Sequence, residues 1–507
     1  MPGIRIGMPF STNIFQIRGE TLNTRIVAYL LARLAFWLGG VFVVPLLLSY
    51  KYRDGCSDIF IACIMLCCLC GTILRRHGRF NQYTDNISNR EGLATAVFAW
   101  IMAATLAGLP YVMYGALDPA SAFFEGMSGL TTTGASAMTS LEVLPRSLLF
   151  WRGMTHWLGG LGIIVIFIAM LPRMSGGAVH LFNAETTGFK EDKLLPRLKS
   201  TALTLFSIYL TLTFVETILL MCCGMTGYDA VNHSMATVAT AGFSTYDDSV
   251  AHFNSAAAEL VMGVFMILSG ANFALYYQAW HKGWKTLWED EEFKYYIIFF
   301  FTVACFVTAN IFLSMDLSFG TAFRRGFFQV ASFASTTGFV SNDYESWPSF
   351  AKLLMMVLYF TGGCAGSTAG GIKISRFVVL VKMTLVELRR VLHPQMLFSV
   401  KFNGKPLAKG VLASISRFFF LYIICAVVLS VLLAATGVSL TEAIFGIAAC
   451  ISSIGPAFGI IGVNGNFAHI SSAGKLVLAL AMLLGRLELY TVLVLLRREF
   501  WHRDSRW

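Results

Sequence analysis

Charge is scarce in this sequence. Asp, Glu, Lys and Arg make up 13% of its 507 residues, about half the ~25% usual in a soluble domain, which excludes an ordinary water-soluble globule. Catalytic constellations are missing as well. A polytopic membrane enzyme needs clustered carboxylates, histidines or a nucleophile with its base, and the nine histidines here are scattered. No signal-peptide pattern opens the chain, because Arg5, Arg18 and Glu20 interrupt its first apolar stretch; Met1 to about Thr24 therefore reads as a cytoplasmic tail. The eleven cysteines fall mostly inside apolar runs, as at Cys67, Cys68 and Cys70. There they serve as small hydrophobes, not as a disulfide framework or a zinc site.

Lysine and arginine are absent altogether from 224–254 and 437–470. They gather instead after alternate apolar runs: Arg75, Arg76, Arg79 and Arg90; Arg173, Lys190, Lys193, Arg197 and Lys199; Lys282, Lys285 and Lys294; Lys382, Arg389, Arg390, Lys401, Lys405 and Lys409; and finally Arg497, Arg498, Arg503 and Arg506. By the positive-inside rule both termini are cytoplasmic and the cation-free loops face outward. The net charge of +10 thus records topology and contact with anionic membrane lipid; it does not point to nucleic acid.

What the chain has in abundance is hydrophobicity, 56% of its residues. Runs of about 20 residues, enough to cross a bilayer, recur roughly at 25–49, 56–74, 93–115, 147–171, 201–223, 256–280, 295–314, 350–376, 415–436 and 472–496. Ten spans are expected.

Four outward loops repeat one pattern: Thr131-Thr132-Thr133-Gly134, Ala239-Thr240-Ala241-Gly242, Ser335-Thr336-Thr337-Gly338 and Ser452-Ser453-Ile454-Gly455. Registered on the glycine, the position two before it always carries a hydroxyl. Six before it is always small (Ser128, Ala236, Ser332, Ala449), and twelve before is Ala122, Ala230, Gly326 or Ala443. The stretch leading into each glycine predicts a helix of about a dozen residues, too short to span. The repeating unit is span, half-helix, glycine loop, span, and each second span carries small residues: Gly159-Gly160, Ser269-Gly270, Gly362-Gly363 and Gly485.

Irregular backbone at membrane depth must be buried in protein or line a water-filled path. Four such loops around a pseudo-fourfold axis would point carbonyls inward, the arrangement that replaces the hydration shell of potassium. Glycine supplies the positive φ that turns carbonyls to one side. Close packing of membrane helices on Gly and Thr is the plainer alternative for any single loop. The expected fold class is an all-α polytopic membrane protein: two leading helices, then four units around one pore. The boundaries are 1–92 for the tail and leading helices, then 93–199, 200–294, 295–411 and 412–507 for the four units.

On these residues the chain resembles the TrkH/TrkG/KtrB superfamily of potassium transporters, in its TrkH-like branch. The resemblance rests on the four loops, on Trp157-Leu-Gly-Gly-Leu-Gly-Ile-Ile164, on Gly362-Gly-Cys-Ala-Gly-Ser-Thr-Ala-Gly-Gly371 and on Gly485-Arg-Leu-Glu488. It implies potassium uptake without an enzymatic reaction. The filter would comprise Thr132, Thr133, Gly134, Thr240, Ala241, Gly242, Thr336, Thr337, Gly338, Ser453, Ile454 and Gly455, with K+ as the only bound species. It further implies a homodimer in a bacterial inner membrane and cytosolic nucleotide-binding subunits of the TrkA type. Departures sit at Ala241, where relatives often have glycine, and in loop four, where asparagine before the glycine and a glycine in place of Ala457 are usual. A less selective K+/Na+ transporter and an ammonium conductor stay open as alternatives, as do passive permeation and coupling to protons or sodium.

The 362–371 stretch interrupts the third unit's second span. Its Gly362, Gly363, Gly366, Gly370 and Gly371, with Ser367 and Thr368, disfavour a helix. By the family analogy it is a gate loop below the filter; a packing kink is the alternative. Gly366 to Lys373 approaches a phosphate loop, but Ile372 breaks the pattern and no strand precedes it. Arg486 lies well inside the last span, where a charge is costly and marks function by default. It could face the pore and hold the gate loop by its carbonyls, or pair with Glu488, or snorkel to the interface. Glu125 and His233 share a register, nine before the glycine, with Gln329 and Gly446 as counterparts, suited to bracing the loops.

Overall fold

The computed structural model describes residues 22–79, 87–160, 162, 198–395, 398–463 and 465–501. The tail to residue 21, the cations Arg173, Lys190, Lys193, Arg197, Arg503 and Arg506, and most of 161–171 lie outside the described residues.

Two leading spans come first: α1 (Thr24–Val41) running on into α2 (Val43–Tyr52), then α3 (Ser57–His77). The first unit holds α4 (Asn89–Tyr114), α5 (Pro119–Leu130) and α6 (Arg146–Gly160). The second holds α7 (Leu198–Cys222), α8 (Gly227–Val238), α9 (Ala256–Ser269), α10 (Phe273–Lys282) and α11 (Lys285–Glu289). In the third are α12 (Glu291–Ser314), α13 (Phe319–Ala334), α14 (Ser349–Leu358) and α15 (Ile374–Leu392), followed by a small hairpin, β1 (Lys401–Phe402) and β2 (Lys405–Pro406). The fourth comprises α16 (Lys409–Ala434), α17 (Leu440–Ile451), α18 (Ser472–Arg486), α19 (Tyr490–Leu493) and α20 (Arg498–Trp501).

The half-helices are α5, α8, α13 and α17, of 12, 12, 16 and 12 residues. At 1.5 Å per residue a 12-residue helix reaches ~18 Å, short of a ~30 Å hydrocarbon core. Each starts on a side-chain cap from Asp118, Thr226, Ser318 or Ser439, and Ser439 forms a full capping box with Glu442. These caps satisfy amide groups that a helix start leaves unpaired. Bonding from the Ser121 hydroxyl holds the Asp118 carboxyl below the ordinary aspartate range.

Among the described residues six helices are long and apolar enough to span unbroken: Thr24–Tyr52, Ser57–His77, Asn89–Tyr114, Ala202–Cys222, Glu291–Ser314 and Lys409–Ala434. The second spans of the later units are broken, as expected for the third at 362–371 and not foreseen for the second and fourth. The run at 256–280 bends by 88° between α9 and α10, and the run at 472–496 bends by 113° between α18 and α19. The run at 350–376 stops at Leu358 and resumes as helix at Ile374. In the first unit α6 is described as far as Gly160, and Gly162 beyond it has a φ of 81°. Hydropathy counted the apolar residues of these runs, but small and left-handed positions break the helical hydrogen-bond ladder. The last break carries two consecutive residues of positive φ, Glu488 (56°) and Leu489 (52°).

Candidate functional site

All four half-helices end alike. The amide of Thr133 donates to Ser128 O at 2.9 Å, Ala241 to Ala236 at 2.9 Å, Thr337 to Ser332 at 2.7 Å and Ile454 to Ala449 at 2.9 Å. One residue earlier, the amides of Thr132, Thr240, Thr336 and Ser453 donate to Gly129, Thr237, Phe333 and Cys450. This pair of bonds is the Schellman closure of a helix C-terminus, whose left-handed residue is usually glycine. Here it is a hydroxyl residue each time: Thr132, Thr240, Thr336 and Ser453 have φ of 57°, 52°, 57° and 56°. Left-handed backbone costs an L-residue about 1–2 kcal/mol, so four such positions store strain of the kind that collects at functional sites.

Two residues on, Gly134, Gly242, Gly338 and Gly455 again have positive φ, at 82°, 76°, 84° and 93°. The residues between, Thr133, Ala241, Thr337 and Ile454, have negative φ. Alternating left- and right-handed residues are near mirror images, so their carbonyls turn to the same side of the chain.

The loops touch in a closed cycle. A Cβ placed on Gly134 would fall on the carbonyl oxygen of Ala241. One on Gly242 would fall on that of Thr337, one on Gly338 on that of Ile454, and one on Gly455 on that of Thr133. Unit one meets two, two meets three, three meets four and four returns to one. The four half-helix C-termini, each equivalent to about half a negative charge, therefore converge on one ring of backbone carbonyls.

Buried side chains hold the ring from behind. Glu125, nine before Gly134, accepts from Ala137 N at 2.8 Å and Ser136 Oγ at 3.0 Å. In the same register His233 bonds the Ser244 hydroxyl at 3.0 Å, and Gln329 Nε2 donates to Phe339 O at 3.2 Å. In unit four tyrosines from the third unit take over, Tyr344 donating to Ala457 O and Tyr359 to Pro456 O, both at 2.7 Å. Sequence reasoning missed Arg152, although a lone arginine inside an apolar run is a signal. Its Nε donates to Glu125 at 2.8 Å, its NH1 to Ser244 O at 2.9 Å, and its guanidinium lies 3.4 Å from the Phe243 ring centroid. It therefore ties loop one to loop two.

The 362–371 stretch is a loop beneath the ring. Gly362 N donates to Ile372 O at 2.8 Å, closing its base. Gly370 N donates to the Thr336 hydroxyl at 2.7 Å, and a Cβ on Gly370 would fall on Ser452 O. Thr368 Oγ1 donates to Val238 O at 3.1 Å. The loop thus contacts units two, three and four. From behind, Glu292 accepts from Ala365 N at 2.8 Å and Ser375 N at 3.1 Å, and Lys373 donates to Ala369 O. Glu292 and Lys373 were not legible as site residues, because each belongs in sequence to a helix start.

Arg486 completes the contact with unit one. Its NH1 donates to Thr132 Oγ1 and Thr368 O, both at 3.2 Å, and its NH2 to Gly159 O at 2.5 Å and Gly160 O at 2.9 Å. Glu488, the partner that sequence offered it, pairs instead with Arg376 at 2.6 Å. The left-handed break at Glu488 turns that carboxylate toward α15. Arg486, Lys373, Arg376, Glu488 and the loop line a cavity of about 90 Å³. Among the described residues no group of three or more His, Cys, Asp or Glu side chains could hold a metal ion.

Of the outer acids, Asp247 accepts from Leu141 N at 2.7 Å and from the Ser140 hydroxyl, and Asp229 from Thr245 at 3.0 Å. Asp247 thus fastens the loop of unit two to that of unit one, whereas Asp229 ties the start of α8 to the loop of its own unit.

Comparison with known proteins places the fold in a family. A family model described as TrkH, cation transport protein, matches residues 57–503. The Trk system potassium uptake protein TrkH of Salmonella typhimurium is 35% identical over 485 residues, covering 95% of this chain and all of that one. The Trk system potassium uptake protein TrkG of Escherichia coli is 32% identical over 492 residues, 95% of this chain and 99% of that one. The crystal structure of the potassium transporter TrkH from Vibrio parahaemolyticus superposes with a TM-score of 0.86 at 32% identity, over 95% of this chain and 100% of that one. These relatives are named for transport, not for catalysis. Apolar helices long enough to span, six of them among the described residues, and a match along nearly the whole chain make this multi-pass membrane protein a member of the TrkH cation transport family.

Proposed function

We propose that this chain carries potassium into the cell through the ring of backbone carbonyls at Thr133, Ala241, Thr337 and Ile454, lined also by the residues on either side of each. One observation carries the reading: each ring glycine is pressed on the carbonyl of the next loop, in unbroken cyclic order. Carbonyl dipoles so fixed can stand in for the water around a dehydrated cation, and four half-helix C-termini add negative potential. The hydroxyl of Ser453, buried and without a hydrogen-bond partner, supports the ring as a place where a further oxygen ligand is available. Sequence departures at Ala241 and Ile454 leave the backbone angles of their loops like those of the other two, which favours potassium over a less selective K+/Na+ pathway.

Loop 362–371 acts as the gate and Arg486 as its latch. The loop fills the path under the ring, and the guanidinium places a positive charge where a departing cation must pass. Membership in a Trk uptake system supports a homodimer regulated by cytosolic TrkA-type nucleotide-binding subunits. The distribution of lysine and arginine supports an inner-membrane protein with both termini in the cytoplasm.

Uptake of rubidium and of sodium into vesicles containing the purified chain, with and without a regulatory subunit, tests the reading. Rubidium uptake well above sodium is expected. Equal uptake of both would remove the potassium assignment, and no cation uptake from folded protein under either condition would refute the pore.

A further inference from the structure

Between the broken span of unit two and the first span of unit three lies an exposed aromatic and basic arm that the ring and loop do not use. After its 88° turn, α10 buries Phe273, Leu275 and Ala279 and turns its other face outward. Trp280, Trp284 and Trp288 are 78%, 64% and 61% exposed, and Tyr277 is 46% exposed. Lys282, Lys285 and His281 are exposed among them, Lys294 follows on the first turn of α12, and Glu289 is the exposed acid on α11; Asp290 and Glu291 beside it are half-buried and bonded to Asn403 and Lys382, and Glu292 is buried against the loop. The arm joins two membrane segments, α9 and α12, through a few residues at one end of the bundle. Its indole rings and lysine ammonium groups are both favourably placed at the bilayer boundary.

The arm is also bonded to the 362–371 loop. Cys364 N donates to Gly270 O at 2.8 Å and Phe273 N to Gly366 O at 3.3 Å, one on each side of the turn. Asn272 caps α10 by accepting from Ala274 N at 2.9 Å, and its side chain abuts Gly366.

We propose that residues 273–294 are a lipid-docked lever. The three indoles seat in the headgroup boundary, Lys282, Lys285 and Lys294 bind anionic phosphate headgroups, and the lever passes this attachment through residues 270–273 to the 362–371 loop. Anionic lipid, not a soluble protein, is the occupant, because tryptophan and lysine interleave along an element tethered at both ends to spans. The effect on transport rests on the gating reading above, whereas the docking does not.

The test uses the full chain in vesicles of phosphatidylcholine alone or mixed with phosphatidylglycerol. Quenching of tryptophan fluorescence by lipids brominated near the glycerol is compared between the parent and a variant carrying Trp280→Leu, Trp284→Leu and Trp288→Leu. A large loss of quenchable signal in that variant is expected; the same quenchable signal in both would overturn the docking and leave the face to a soluble partner. Rubidium uptake is then compared between the two lipid compositions for the parent and for Lys282→Gln/Lys285→Gln/Lys294→Gln, a variant that keeps the indoles and the fold. The parent should change at least ~3-fold with anionic lipid and the charge variant much less, given the strength of lysine attraction to anionic surfaces. A lipid response equal in both would overturn the coupling. Absence of uptake everywhere would sink the transport reading, while quenching still decides the docking.

Discussion

Replacing Gly242 by serine tests the ring most directly. A Cβ there would overlap the carbonyl oxygen of Thr337 and lie 3.0 Å from Gly338 C and 3.3 Å from its Cα, all backbone of the next loop. The φ of 76° adds about 1–2 kcal/mol for any L-residue, and overpacking a rigid site adds about 1–3 kcal/mol. The ring must absorb ~2–5 kcal/mol by moving the Thr337 carbonyl, one of the four proposed to face the ion. If only ~1.4 kcal/mol appears as lost discrimination, the rubidium-to-sodium uptake ratio falls about tenfold. Gly320→Ser is the control: a Cβ there meets nothing within 4 Å, and both folding and selectivity should stay at the parent's values. An unchanged ratio for Gly242→Ser in monodisperse, folded protein would refute the ring as the selective element.

Arg486→Gln should raise rubidium uptake in the absence of any regulator by tenfold or more, since a unit charge at ~6 Å and an effective dielectric of ~20 is worth about 3 kcal/mol; unchanged or lower uptake by folded protein would count against the latch. Glu292→Ala removes the acceptor of two backbone amides, Ala365 within the loop and Ser375 just after it. At about 1.5–3 kcal/mol for hydrogen bonds to a charged group, amide exchange across 364–375 should speed up ~10–150-fold with the half-helices unaffected. Arg152→Met strands a buried Glu125 and should destabilise the fold by about 3–5 kcal/mol, whereas adding Glu125→Gln recovers most of the loss; thermal unfolding in detergent checks both, and equal Tm values for the single and double variants would rule out the pair as the cause.

Much of this protein was determined by local sequence. Hydropathy and the placement of lysine and arginine gave its membrane class and the leading spans, because length and composition alone decide what can cross a bilayer. The fourfold loop pattern was legible because each glycine needs positive φ and each half-helix closes within its own few residues. Contacts between distant segments were not legible. That each glycine bears on the next loop's carbonyl, and that the order closes from unit four back to unit one, depend on packing across hundreds of residues. The same holds for Arg486, whose neighbour Glu488 looked like its partner: a left-handed backbone turns Glu488 toward Arg376 and leaves Arg486 to the carbonyls of Gly159, Gly160 and Thr368. Hydropathy likewise cannot tell a straight span from one bent by 88° or 113°, since both bury the same apolar residues. Local sequence specified the four units, and only their mutual packing decided which carbonyls meet and where the charge beneath them points.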